Sequence, residues 1–303
     1  MFEFAHYIFE NSDLLDNKTE WLHRVIENEK VVFIQTNRLI NVAQGQEFHQ
    51  ERSSAVLDLS EKILELRNDI VRTQFHISMD QGSKFPERVM DLLSKERSIN
   101  INDVSEKMIK ISRFDKIYNK NDLFGNLGLK SSIISRLKKE EIYDNDSFLL
   151  VLNSYLEDIV ERINFCDDLA RRIHLFKEAV NSLFQFKSID FHPTDGIVVQ
   201  KKNKGVRGDV AYTKESFKID DLSSGEQHLI ILLGNLIFNT VANTLVLIDE
   251  PEISLHAAWQ KKLLNLIDEI AKTNNFQVIV ATHSFILING NWKNTIELAE
   301  LKS

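Results

Sequence analysis

Residues 244–256 read TLVLIDEPEISLH, and no other stretch restricts the fold as much. Thr244 to Ile248 is apolar on both faces, as a strand is when covered from both sides of a sheet, and Pro251 stops it two residues after Asp249. Helical periodicity flanks it, over about Glu226 to Asn239 and Leu255 to Thr273, and a second apolar strand follows at Phe276 to Ala281. Strands separated by helices of this length imply right-handed crossovers and a parallel sheet, hence an α/β fold. The run also sets Asp249 and Glu250 at the carboxyl end of a buried strand, where open α/β sheets bind ligands.

The rest of the chain is organised around this core. Val31 to Thr36 reads as another buried strand, after a helix over Glu20 to Glu29. From about Glu51 to Phe186 the pattern is helical. Its clearest part places Leu152, Tyr155, Ile159, Ile163, Cys166 and Leu169 on one stripe that continues to Leu183. That stripe fits a core-facing helix, a helical hairpin or a dimerisation arm. Short strands are expected at Ser188 to Phe191, Gly196 to Gln200 and Asp209 to Thr213. The domains expected are 1–45, a remnant of the core with strand 31–36; 46–186, a helical insertion; and 187–303, the main α/β core.

Composition excludes several classes. With 10 Gly and 3 Pro in 303 residues, a loop-rich all-β fold is disfavoured. The apolar runs are too short to cross a bilayer, and the N-terminus lacks a basic leader. Cys166 is the single cysteine, so no internal disulfide forms, and a reducing cytoplasm is the expected compartment. The net charge of −8 gives no global attraction to nucleic acid. Lys201, Lys202, Lys204, Arg207, Lys214 and Lys218 form a local basic cluster, read as a solvated hairpin before a nucleic-acid contact.

Three motifs carry chemistry. In a nucleotide site Asp249 can hold Mg²⁺ through water, and Glu250 can orient and deprotonate the water attacking a γ-phosphate. The plainer reading is a strand that ends in acids. Asp220 to Gln227, DDLSSGEQ, leads into an apolar helix whose start offers unpaired N–H groups to an anion. Ser223 and Ser224 add hydroxyls, and Gly225 permits close backbone approach; an ordinary serine N-cap explains the same residues. VIVATHS, Val278 to Ser284, carries His283 to the same sheet edge as Asp249, within reach of a γ-phosphate.

In this order and spacing the motifs resemble the ABC-type ATPases that include chromosome-maintenance and RecF-like proteins. Leu222 to Gln227 matches their signature, with Ser224 where transporters have glycine. Leu245 to Glu250 matches Walker B, Ser254 and His256 fall at the D-loop, and His283 matches the switch histidine. DEPEISLH with ATHS, Trp292 and Ile296-Glu297-Leu298 looks like bacterial AAA family ATPases, related to the overcoming-lysogenization-defect proteins and to ATPases of Septu and retron defence systems. Phe285 replaces the proline common after that histidine. Gln35, in VFIQTNRL, is a possible Q-loop glutamine.

The resemblance implies a P-loop NTPase fold of RecA/ABC-like type, ATP and Mg²⁺ as cofactors, and a sandwich dimer. In that dimer Ser223, Ser224, Gly225, Glu226 and Gln227 meet the ATP of the opposite protomer. Glu250 and His283 are catalytic, with Asp249 on the metal. No G-x-x-x-x-G-K-[ST] loop occurs in the sequence; Gly125 to Ser132 is the nearest imitation and fails the spacing. The expectation is that the chain is the C-terminal part of a larger ATPase, its P-loop portion absent, incompetent until a Walker A loop is supplied by missing N-terminal sequence or a partner. Loss of that strand is expected to expose apolar surface around Thr244 to Asp249. The expected partners are a second copy or a Walker A-bearing fragment, with any nuclease activity residing in an effector partner. The alternative is a non-catalytic interaction module derived from such an ATPase.

Overall fold

Strand β5, Thr244–Asp249, lies at the centre of a three-stranded sheet in the order β1–β5–β6, with β1 at Lys30–Ile34 and β6 at Gln277–Ala281. Both pairings are parallel, with Ile34 opposite Ile248 and Asp249 opposite Ala281. The computed structural model describes residues 30–34, 54–94, 99–125, 146–204, 210–217 and 219–296. The helix expected at Glu20 to Glu29, Gln35, residues 126–132 of the glycine-rich imitation, Arg207, Glu297 and Leu298 lie outside them, as do the side chains of Lys204, Lys214 and Lys218.

The expected apolar exposure around Thr244 to Asp249 is found on one face of the sheet only. Val246 and Ile248 are fully buried on one face, whereas Leu245 and Leu247 on the other are half-buried, and Ile279, paired with Leu247, is exposed.

The chain divides into two compact units. The first takes the described residues of Met1–Leu59, Phe176–Ile189 and Val199–Ser303. It holds the parallel sheet with α4, Ser224–Phe238, and α5, Ala257–Asn274. Helix α4 is apolar all round, and Leu229 to Leu233, Leu236 and Ile237 are buried, as such a helix must be. Helix α5 buries one stripe, Leu263, Ile267 and Ile270, and ends on Asn275 in the left-handed conformation at φ 54°. Four-residue α6, Phe285–Ile288, follows β6.

The second unit takes Ser60–Leu175 and Asp190–Val198. Its helices are most of α1, Ala55–Leu93, all of α2, Ile101–Tyr118, and most of α3, Asp146–Leu183. Helices α1 and α3 run antiparallel: Gln74 donates to the Arg162 carbonyl, and Arg88 holds the Asp158 carboxylate with two N–H groups. Helix α2 runs alongside α3 through Lys107 on Asn153 and Glu157, and Tyr118 edge-on to His174. A second, three-stranded sheet has the order β2 (Lys187–His192), β3 (Gly196–Lys204), β4 (Val210–Phe217), the last pair antiparallel.

The stripe on α3 is consumed inside the chain. Ile159, Ile163, Cys166, Phe176 and Val180 are all fully buried, each large aliphatic group contributing about 1.5–3 kcal/mol. A dimer through that stripe would have to open the core. Burial pushes the Cys166 thiol up to about 12, with Gln74 donating to its sulfur at 3.2 Å. The thiol is therefore neutral and shielded. Iodoacetamide at about pH 8 leaves it unmodified in the folded protein and labels it once denaturant is added; labelling at equal rates in both states, followed by mass spectrometry, would contradict the buried placement.

Candidate functional site

At the carboxyl end of β5 the chain makes a tight, strained turn. Glu250 N–H donates to the Ala281 carbonyl at 2.9 Å, which extends the β5–β6 pairing by one residue past Asp249. Glu250 then adopts φ 42° and Ser254 φ 65°, positive values that cost L-residues free energy and gather at functional sites. Pro251 is buried and can donate no N–H.

Parallel register brings His283 to the same edge. Its Nε2 lies 4.0 Å from Glu250 Oε1, too far for a direct hydrogen bond, and the imidazole is 93 % exposed. The pair thus lies at the solvent-facing edge of the sheet. Behind it a polar ring holds the histidine's backbone. Glu252 Oε1 accepts from Thr282 Oγ1 at 2.5 Å and from the His283 N–H at 3.2 Å. Thr282 Oγ1 accepts from the Ser284 N–H, Ser284 Oγ donates to Gln260, and Gln260 donates to the Leu255 carbonyl. Sequence reasoning assigned no role to Glu252, Thr282, Gln260 or Ser284. The signal for Glu252 was its place directly after the strand-ending proline, where a side chain turns back across the edge.

The turn that opens α4 is built from its own residues. Ser223 is the N-cap of α4 and forms a full capping box: its hydroxyl takes the Glu226 N–H, and the Glu226 carboxylate takes the Ser223 N–H at 2.8 Å. Lys187 adds an ion pair to Glu226 at 2.9 Å. Gln227 donates to the Leu222 carbonyl, and Ser224 is exposed in the first turn. The serine N-cap is therefore formed, and a carboxylate of this chain already sits against the helix start. Burial pushes the Glu226 carboxyl up, but hydrogen bonds from Lys187 and Ser223 outweigh it and hold it below the usual carboxylate range. A depressed value stabilises the fold above the unfolded pKa and is lost as pH falls through the folded one. The wild-type minus Glu226→Gln stability difference is thus flat near neutrality and shrinks below about pH 4.5; urea unfolding across that range checks it, and a difference that grows on acidification would refute the assignment.

Gly225 is buried, and its backbone presses on the turn at Ser254. A Cβ there would stand 2.3 Å from the Ser254 carbonyl oxygen. His228 Nδ1 approaches the Ile253 carbonyl at 3.4 Å alongside. Within the chain, then, the glycine is required by Ser254. His256 caps α5, its Nδ1 accepting from the Ala258 N–H at 3.2 Å. Phe285 opens α6 behind the Ser284 cap, in the first helical position where proline is also favoured, so its replacement of proline costs the turn nothing.

The basic cluster is smaller than its sequence. Lys202 spends its ammonium on the Asn181 and Phe184 carbonyls at the end of α3, and burial lowers its pKa; Lys201 is exposed. No group of three or more His, Cys, Asp or Glu able to cage a metal occurs among the described residues. Asp249 and Glu250 offer hard oxygen donors, which fits Mg²⁺, an ion held by one or two carboxylates with water and phosphate completing its shell. Among the described residues no helix is long and apolar enough to cross a membrane.

A family model described as "AAA domain, putative AbiEii toxin, Type IV TA system" matches residues 59–289, about three quarters of the chain. No curated protein matches. Among solved structures, the chain is similar to an Smc head domain with an extended coiled coil bound to the C-terminal domain of ScpA, from Pyrococcus furiosus. The identity is 18 %, with 77 % of this chain and 55 % of that one covered and a TM-score of 0.31. An Smc head with a coiled coil and joint from Pyrococcus yayanosii gives 16 %, 77 %, 55 % and 0.25. The chain spans little more than half the length of these heads, and scores this low bear no weight in assigning the site.

Proposed function

We propose, from the premise that this chain belongs to the AAA-domain family, that it forms the signature, Walker B and switch-histidine part of an ATP-binding and ATP-hydrolysing site. The parallel α/β sheet is then that of a P-loop NTPase, with residues 46–186 inserted into it. The observation that carries the reading is the convergence of Asp249, Glu250 and His283 at one sheet edge, with Glu252 holding the backbone of His283 from behind.

In this reading Asp249 would hold Mg²⁺, which when bound would supply charge neutralisation for the phosphates. Glu250 orients a water and takes its proton as the oxygen attacks phosphorus. The bond to the β–γ bridging oxygen breaks, ADP departs, and His283 donates a hydrogen bond to the phosphoryl oxygens. Ser223, Ser224 and Gly225 serve the γ-phosphate of a second protomer, after the Glu226 carboxylate has yielded the helix start. The phosphate cradle itself, G-x-x-x-x-G-K-[ST], is supplied from outside residues 1–303, by sequence joined to them or by a partner. On their own these residues bind ATP weakly and turn it over slowly, because positioning supplies most of the catalysis in phosphoryl transfer. A role in a bacterial defence or DNA-handling complex, with a separate effector, follows from the resemblance of DEPEISLH and ATHS.

The test is ATP hydrolysis by protein purified from its own cells with whatever accompanies it, beside its Glu250→Gln variant and residues 1–303 alone. Turnover by the native preparation, lost in the variant and feeble in the short chain, supports the reading. Vigorous turnover by residues 1–303 alone would defeat the external-cradle part. Absence of ATP binding in every preparation would defeat the whole and leave an interaction module.

A further inference from the structure

With the α3 stripe buried, a different apolar stripe faces solvent. On α1, Phe75, Met79, Gly82, Pro86, Met90 and Leu93 follow one another at steps of four, three, four, four and three residues, which keeps them on one helix face. The four large side chains are 63 %, 62 %, 66 % and 51 % exposed, although the neighbouring face of α1 is occupied by Gln74, Gln81, Phe85 and Arg88 against α3. A 39-residue helix with such a stripe uncovered has a surface meant for a partner.

The stripe reads nearly the same in both directions. About a centre near Lys84, Phe75 mirrors Leu93, Met79 mirrors Met90, and Gly82 mirrors Pro86. That symmetry is what an isologous contact requires, because a two-fold axis makes each position meet its mirror on the other copy. The profile suits it too: bulky residues stand at both ends and small ones at the waist, where crossing helices come closest. At Gly82 an added Cβ would meet nothing within 4 Å, so the waist is open. Pro86 has no N–H, which deprives the Gly82 carbonyl of its helical donor and leaves it available at that point. On the polar flank, His76 and Asp91 are mirror positions and exposed, giving complementary pairs on either side of the axis. From the exposed fractions, the four large residues of each copy bury on the order of 1,000 Å² in total, the lower bound for a specific interface.

We propose that the α1 stripe is a nucleotide-independent homodimer contact, a second copy of this chain packing antiparallel across Gly82 and Pro86. Partner binding by this face needs no ATP, so its test stands apart from the ATPase reading. Sedimentation velocity of the full 303-residue chain without nucleotide, up to on the order of 100 µM, reads the association. Ser83→Cys places a thiol at the waist, and the native Cys166 stays silent because it is buried and neutral. Expected are a concentration-dependent dimer, at least tenfold weaker association in Met79→Glu/Met90→Glu, and disulfide dimers with Ser83→Cys but not with Arg113→Cys, an exposed site on α2. A chain that stays monomeric throughout, or a dimer that Met79→Glu/Met90→Glu leaves intact, overturns the proposal. Should the glutamate variant lose its helix content, the cysteine pair decides: cross-linking at Arg113→Cys equal to that at Ser83→Cys overturns it as well.

Discussion

Glu250→Gln in the native preparation lowers ATP turnover by two to four orders of magnitude while ATP remains bound. The substitution keeps the size and planar shape of the side chain and removes only its capacity to take a proton, and general-base contributions are about 10²–10⁴. The backbone at φ 42° is held by the Glu250 N–H on the Ala281 carbonyl, so the turn does not depend on the carboxylate. His283 stays in place, because Glu252, not Glu250, accepts from its backbone N–H. The readouts are phosphate release and equilibrium binding of labelled ATP on the same samples. Loss of binding together with turnover would mean that Glu250 supports the fold of the edge; unchanged turnover would remove it from the chemistry.

Gly225→Ala destabilises the parallel-sheet unit by about 2–3 kcal/mol, the upper part of the range for overpacking. The obstacle is a backbone carbonyl, that of Ser254 at 2.3 Å, and not the tip of a flexible side chain. Ser254 already sits at φ 65°, so its turn has little freedom to withdraw. The alternative, a shift of α4, would disturb a helix packed on all sides. The expected fall in melting temperature is roughly 3–5 °C for a chain of this size, whereas the exposed neighbour Ser224→Ala changes it little. Calorimetry without nucleotide measures this directly. An unshifted melting temperature would show that Gly225 and the turn at Ser254 do not bear on each other.

These two expectations differ in how far the sequence anticipates them. Glu250 is legible because a strand ending in acids and proline is a local pattern, and the bounds Thr244–Asp249 follow from side chains four to six residues apart. His283 is legible for the same reason, as the end of the next strand. The N-cap at Ser223 with Glu226 three residues on is likewise written in adjacent letters. The reason for Gly225 is not, since Ser254 lies almost thirty residues away and meets it only once α4 and the turn at Ser254 have packed.

Glu252, Lys187 and Lys202 illustrate the same limit. Each is an ordinary charged residue in the sequence, and each acquires its role from a backbone or side chain brought in by folding: the His283 N–H, the Glu226 carboxylate, the carbonyls ending α3. Periodicity determined that α1 and α3 are helices and which α3 residues share a face. It did not determine whether that face meets solvent, a second copy or the chain's own core, because a stripe of Leu and Ile reads identically in all three settings. Local order, strand direction and the chemistry at the strand ends were set by the sequence alone. Burial, the neighbours of β5 and the choice of which helix face remains open were decided by tertiary packing, which depends on contacts that no short window of sequence contains.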